Sequence, residues 1–436
     1  MTILLRQKPL PQVVRQIVQR DNGAWFDPED MSTMFQDAAG TIPVTALEQP
    51  VGKWLDKSGN GNHATQSVTA SRPVISARKN LLTKTEDFAD EVWVKYLMVS
   101  VANNVFIPST VYGAHYIAAP TNINYVAGVK YTLSARVKSK ELTKIGLFFS
   151  MGPFDANGRH AWFDIATGIV GGYQSGVAAS ISEHPSGGFL CSITCTAVST
   201  LTGFCGIYNT EGGFGDTIVG DGVSGVYVYY SQLEYGPTAT TYQKVNTATD
   251  YDTAGFPKYI KADGVDDHFV LPYLGLYNNA SCSIIASHSS SSQAANGVIV
   301  SEASSTDADT KYLPYRQLAS AGNVDSYIAA DNAAVILDST GAAYSGTKEN
   351  IIESIIDSGT SIKTYRSGVL LSNEPYTRSA TLTLNNTTLF GSVSTTNTNF
   401  LNTKLYGLII TKSNLSARDR SLCETYLKSK VQVLQV

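Results

Sequence analysis

The chain has 436 residues, against roughly 150 for a typical domain, so two large domains or three small ones are expected. Charged residues make up only 16% and the formal net charge is -4. No Lys/Arg run interleaves with aromatic residues as a phosphate-tracking groove requires, which argues against nucleic acid as a partner. The longest apolar stretches are strand-sized, short of the ~20 residues that cross a bilayer, so membrane insertion is not expected.

Residues 1–20 place Arg6 and Lys8 among apolar residues but contain neither a continuous apolar segment nor a small-residue cleavage site, so they are not read as a secretory signal. Within 11–20, Val13, Val14, Ile17 and Val18 share a stripe, with Arg15, Gln16, Gln19 and Arg20 opposite: a short amphipathic helix. A helix this short is marginal alone and must dock, either on its own domain or on a partner protein. From Trp25 onward, short apolar runs are separated by Gly, Asn, Asp, Ser and Pro, the punctuation of an antiparallel β protein. Strands are predicted at 131–138 (YTLSARVK), 145–150, 226–233 (VYVYYSQL), 351–356 and 405–410. Alternation in 226–230 sets Tyr227 and Tyr229 on one face and Val226, Val228 and Tyr230 on the other. A second helix is predicted over 416–430, where Ser416 can cap and Leu422, Tyr426 and Leu427 recur at helical spacing. No repeat appears at periods of roughly 20–50 residues, which argues against a β-helix or a propeller. The five cysteines (Cys191, Cys195, Cys205, Cys282, Cys423) are odd in number and lack the Cys-x-x-Cys spacing of a zinc site. Cys191 and Cys195 share a strand face and read as small buried hydrophobes, with all thiols reduced.

The segment 54–65 (WLDKSGNGNHAT) resembles the opening signature of laminin-G-like, concanavalin-type domains, where a D-x-S-G-N-G-N-H stretch is followed a strand or so later by F-D-G-V-D-D. Its counterpart here, 262–268 (ADGVDDH), lies about two hundred residues downstream, so the parent domain is read as interrupted. The intervening piece opens at 80–96 (NLLTKTEDFADEVWVKY) and closes at 226–245 (VYVYYSQLEYGPTATTYQKV). With 129–138 and 162–168 (WFDIATG) it resembles a carbohydrate-binding-module-like jelly roll frequently found in phage structural proteins. The first and last strands of such a module are neighbours, and an insertion with adjacent ends is tolerated at a surface loop. Beyond it, 355–371 resembles the D-G-x-x-x-x-Y-x-x-G hairpin of laminin-G-like domains, and 404–430 their closing strand and final helix. The stretch 23–37 (GAWFDPEDMSTMFQD) is similar to segments of phage virion proteins of unassigned role.

Catalytic patterns are poorly matched. Concanavalin-type glycosidases use an E-x-D-x-x-E strand of paired carboxylates, whereas 86–91 (EDFADE) carries Phe88 where the middle Asp should stand. Glu86, Asp87, Asp90 and Glu91 therefore read as a solvated acidic edge. Residues 222–225 (GVSG) fail the G-x-S-x-G elbow because Val226 replaces the final Gly. The six histidines are scattered, with no H-E-x-x-H or H-x-H pair, so catalytic zinc is not supported. Asp263, Asp266 and Asp267 form the densest acidic motif and could hold calcium, as some laminin-G-like loops do. They could equally build the turn at Asp263–Gly264, with carboxylates receiving backbone N–H groups. Calcium is the one cofactor left open. Asp56, Ser58, Asn60 and Asn62 read as turn-builders. For sugar binding, aromatic faces are needed, and Trp93, Tyr96, Trp162, Tyr227 and Tyr229 are the candidates.

The expected fold is all-β: two antiparallel β-sandwiches, a concanavalin-like jelly roll with an inserted carbohydrate-binding-module-like jelly roll, plus a short helix at each end. The expected parts are an N-terminal helical anchor segment (1–22), the discontinuous laminin-G/concanavalin-like domain (23–79 with 246–436) and the insertion (80–245). The resemblance implies a tailed-phage virion surface protein, on head or tail, that binds host-envelope glycans without catalysis. It would be made in the host cytoplasm, contact other virion proteins through the N-terminal segment and form a homo-oligomer. A structural decoration or connector protein that cements virion subunits is the alternative, with a glycan depolymerase the third reading.

Overall fold

A computed structural model describes residues 8–119, 123–215, 217–247, 250, 256–279, 281–290, 297–304, 311–317, 326–330, 333–336, 348–375, 383–392 and 399–431. Among these residues the chain is built of antiparallel strands, with α-helices only at Leu10–Gln19 and Ala417–Val431. It divides into two compact units, one comprising Met1–Ala77, Pro257–Tyr344 and Lys348–Gln432, the other containing Arg78–Phe256.

In the discontinuous unit, the described residues form an eight-stranded and a nine-stranded sheet. The strand Cys282–Ser290 lies between Lys348–Asp357 and Asn402–Thr411, with Ile285 opposite Ser354 and Ile409. Alternation gives that sheet two apolar faces. On one, Ile285, Ile352, Ile356 and Ile409 pack with Trp25 against both helices. The N-terminal helix puts Val14, Ile17 and Val18 into this cluster beside Cys423, Tyr426 and Leu427 of the C-terminal helix. Of the two docking modes expected for this helix, the one found is packing on its own unit, where the apolar stripe is buried.

The 54–65 motif is a turn wrapped around one carbonyl. Asp56 is buried; its carboxylate accepts N–H groups from Trp25 (2.9 Å), Ser58 (2.9 Å) and Asn62 (3.2 Å) and the Ser58 hydroxyl (2.6 Å). The side chains of Asn60 and Asn62 each donate to the Gly23 carbonyl at 2.8 Å. On the sheet's other face, buried Glu353 receives the Arg366 guanidinium (2.9 Å from Nε) and the Tyr315 hydroxyl (2.5 Å), with His288 Nε2 at 3.5 Å. Burial alone would raise its pKa, but His288 and Arg366 outweigh that cost and hold the carboxyl down at about 2.

The Arg78–Phe256 unit is a sandwich of two six-stranded sheets, which also includes a two-stranded pair. Between them lie Phe106, Tyr131, Leu133, Val137, Leu147, Phe149, Phe163, Ile193 and Val228, together with Cys191, Cys195 and Cys205. Burial pushes the Cys195 and Cys205 thiols up to about 12, and all five cysteines of the chain are buried thiols outside any disulfide. The two ends of the unit are clasped. Asn80 donates to the carbonyls of Gln243 (3.0 Å) and Ser231 (3.3 Å) and accepts from Leu82 and Leu233 N–H, each at 3.1 Å. Gln243 Oε1 in turn accepts the N–H groups of Lys79 (2.5 Å) and Asn80 (3.0 Å).

Two outcomes follow from these buried polar groups. Asn80→Ala strands the Leu82 and Leu233 donors and is expected to destabilise the Arg78–Phe256 unit by about 3 kcal/mol, read from its urea midpoint. For Glu353 the folded pKa lies below the ordinary 4.5, so its contribution is complete above that pH and disappears as pH falls toward 2. The stability advantage of the wild type over Glu353→Gln should therefore shrink on acidification by on the order of 3 kcal/mol, measured as denaturant midpoint against pH.

Candidate functional site

One sheet of the Arg78–Phe256 unit, the front sheet, runs in space Ile169–Tyr173, Arg159–Asp164, Lys144–Phe149, Cys205–Asn209, Tyr116–Ala118, Val94–Tyr96. Ile117, Ile145, Leu147, Phe149, Ala161, Phe163, Cys205 and Ile207 point into the core. By alternation the residues between them, among them Tyr116, Phe148, His160, Trp162 and Tyr208, form the outer face.

These rings meet in a row. Tyr96 stacks on Tyr116 with centroids 5.1 Å apart, Tyr116 meets Phe148 edge-on at 5.6 Å, and Phe148 stacks on His160 at 5.6 Å. Tyr208 lies edge-on to both Phe148 (6.1 Å) and His160 (5.7 Å). From Tyr96 to His160 the row crosses the sheet from its edge strand to its fifth in three ring-to-ring steps of 5.1, 5.6 and 5.6 Å. Glycine opens the space: a Cβ at Gly146 would fall within the Tyr208 ring, and one at Gly171 within the Trp162 ring. The two large side chains therefore lie flat across neighbouring strands instead of standing off the sheet.

The loop 210–215 forms a rim. A Cβ at Gly212 would lie 3.7 Å from Trp162 and one at Gly215 3.1 Å from the His160 ring, and Phe214 reaches within 3.3 Å of the position of a Gly172 Cβ. Thr210 Oγ1 accepts the N–H groups of Gly212 and Gly213, both at 2.9 Å, and the Tyr208 hydroxyl donates to the Gly213 carbonyl at 3.2 Å. Lys144 donates to the Glu211 carbonyl (2.8 Å) with its ammonium 5.6 Å from the Trp162 centroid, a cation–π distance. Burial lowers the His160 pKa, so its imidazole is neutral at pH 7. Asp164 is held below the carboxylate range, its burial outweighed by the N–H groups of Thr167 and Ala166. The face thus presents Tyr96 and the half-buried Tyr116, His160 and Trp162, with a cation and an anion beside them, while Phe148 and Tyr208 are themselves buried and hold these rings in place.

The five aromatic candidates separate. Tyr96 and Trp162 belong to this face, near its opposite ends. Trp93 does not: it is 2% exposed, packs on Phe88 at 5.0 Å and donates its ring N–H to the Lys84 carbonyl (2.9 Å), so it presents no face to a ligand. Tyr227 and Tyr229 lie on the outer face of the opposite sheet, rings nearly parallel at 6.0 Å, with the Arg136 guanidinium 4.2 Å above Tyr229. The alternation expected there fails at one place. Val226 and Val228 are core, but the register slips between Arg136 and Val137, and Tyr230 pairs with Arg136 on the outer face. A β-bulge inserts one residue and reverses the parity beyond it; Tyr230 then stacks on Tyr242 at 3.7 Å. Phe148, His160 and Phe214 were missed. The usable signal was glycine and an aromatic on the same parity, Gly146 with Phe148 and Gly206 with Tyr208.

Asp263, Asp266 and Asp267 do converge, with one ligand atom from each within 4.8 Å of the others. Their carboxylates also build the turn: Asp263 accepts the Val265 N–H (2.8 Å), Asp266 the Ser71 hydroxyl (2.7 Å) and Asp267 the Asp263 N–H (3.0 Å). Burial, with the charges of Asp263 and Asp266, pushes Asp267 up to about 6. A calcium ion would relieve that repulsion through these three carboxylates, but the turn hydrogen bonds account for them without one.

No family model matches the chain, and no curated protein matches it. Among solved structures, the binding domain of botulinum neurotoxin DC in complex with SialylT is 12% identical over 40% of this chain and 44% of that one, with a TM-score of 0.26. A botulinum neurotoxin type C structure, whose cell entry depends on interaction with two ganglioside molecules, is 12% identical over the same shares, with a TM-score of 0.29. The chain thus spans less than half the length of these neurotoxin chains. A sialidase of Trypanosoma rangeli in complex with the inhibitor DANA is 11% identical over 86% of this chain and 68% of that one, with a TM-score of 0.29. Likeness of this extent transfers no function to this chain.

Proposed function

We propose that this chain is a non-catalytic glycan-binding protein of a tailed-phage particle, and that the front-sheet aromatic row is where the glycan lies. The row carries the reading. Sugar C–H faces stack on flat rings, and the Lys144 and Asp164 groups at one end can orient hydroxyls. A row that crosses five strands suits a chain of sugar units better than a single one. Binding without bond cleavage is supported by the Asp164 carboxylate being committed to the N–H groups of Ala166 and Thr167. The virion setting is supported by the resemblance of 23–37 and of the inserted module to phage virion proteins. Weak sites would gain strength from copy number on a particle, because each later contact is intramolecular.

The test is binding of the purified chain to host-surface polysaccharide by biolayer interferometry. Trp162→Ala and Tyr116→Ala should each weaken binding roughly tenfold, the equivalent of ~1.4 kcal/mol, while Tyr227→Ala on the opposite sheet should leave it unchanged. Equal binding by all four proteins would remove the site from this face. No binding by the wild type would favour the cementing role, and release of reducing ends would revive a depolymerase.

A further inference from the structure

The two sheets of the Arg78–Phe256 unit end side by side. Val94–Tyr96 is the last strand of the front sheet and Met98–Ser100 the last strand of the back sheet. Leu97, at φ 53°, turns the chain from one to the other. Loops extend this margin: Ser109 N–H bonds the Leu97 carbonyl (2.9 Å), Gly113 and Ile218 exchange N–H···O bonds at 3.1 and 3.0 Å, and Gly220 N–H bonds the Ser109 carbonyl (2.9 Å). Across the continuous surface so formed, Val94, Val99, Val111, Tyr112, Val219 and Val223 are 45–71% exposed.

The same surface is nearly free of charge. From residue 96 to residue 129 the sequence contains no Asp, Glu, Lys or Arg, in a chain that is 16% charged. Lys95 turns its ammonium back onto the carbonyls of Asp90 (2.5 Å) and Trp93 (3.1 Å), and Asp221 spends its carboxylate on the N–H groups of Val223 and Ser224. Open sheet edges are ordinarily guarded by charged side chains, lysine above all. This one is unguarded and apolar, the composition of an interface centre and not of a solvated margin.

We propose that this double edge is where a second copy of the same chain binds. A surface without charge meets its own copy with no like-charge repulsion and no unpaired charge to bury, whichever residues face one another across the axis. Segments 94–99, 107–113 and 217–224 together supply about twenty residues, close to the ~20–30 a side of a standard interface. The inference does not rest on glycan binding. It does bear on it, because the aromatic row ends on this edge at Tyr96, and copies joined here bring two rows together.

Sedimentation velocity on the full chain, over a wide concentration range, tests this. The wild type should sediment as an oligomer, the Val99→Asp/Val111→Asp double variant as a monomer with unchanged circular dichroism, and Ile169→Asp, on the opposite sheet edge, as the wild type does. A wild type that stays monomeric throughout, or a double variant that stays oligomeric, would overturn the proposal. Should the double variant misfold, Val111→Cys decides: because the native cysteines are buried, mild oxidation should cross-link chains through position 111, and a failure to do so would count against the interface.

Discussion

The Arg78–Phe256 unit interrupts the chain of another unit, so its first and last segments must stay together for either to fold. Asn80 and Gln243 meet that constraint with side-chain amides, which bond backbone on both sides of the junction. An amide suits the task because it donates and accepts at once and carries no charge to desolvate in a fully buried position. With the ends fixed, the strand Val226–Tyr235 is held in register against Lys130–Ser139, and that pairing anchors the back sheet on which the front sheet packs.

The front face shows how little sequence is needed to change what a sheet presents. Small residues at Gly146 and Gly171 let Tyr208 and Trp162 lie down across the neighbouring strands. The same aromatics above alanine would stand upright or clash, and the face would be knobbed instead of flat. Glycine in a strand interior normally weakens it; here ring-to-strand packing replaces the missing side-chain contacts. The back sheet makes a different use of tyrosine, with a bulge turning three of the four residues 227–230 outward and Arg136 laid on one of them.

Much of the architecture was readable from residues alone. Short apolar runs between turn-formers gave the all-β class, and helical spacing located the two terminal helices to within a few residues. The turn-building role of Asp56, Ser58, Asn60 and Asn62 was legible because short polar side chains between glycines have few other uses. The aromatic face was only half legible. Strand parity cannot tell an inward from an outward ring without knowing which parity is core, and Trp93, in a turn with no strand parity at all, was assigned to a ligand although it fills the core. The bulge at residue 229 left no mark in the local alternation, since a one-residue slip is fixed by the partner strand. Nor could the helix stripe at Val14, Ile17 and Val18 announce whether it would dock on its own unit or another.

The clasp at Asn80 and Gln243 has a mechanical side. Tension applied along the chain enters the Arg78–Phe256 unit and leaves it through segments that are already bonded to each other. The pull is therefore borne across the clasp, and the jelly roll beyond it hangs off the line of force like a bead on a closed loop. A load on the chain would strain a handful of amide hydrogen bonds first, leaving the aromatic face undistorted until they gave way.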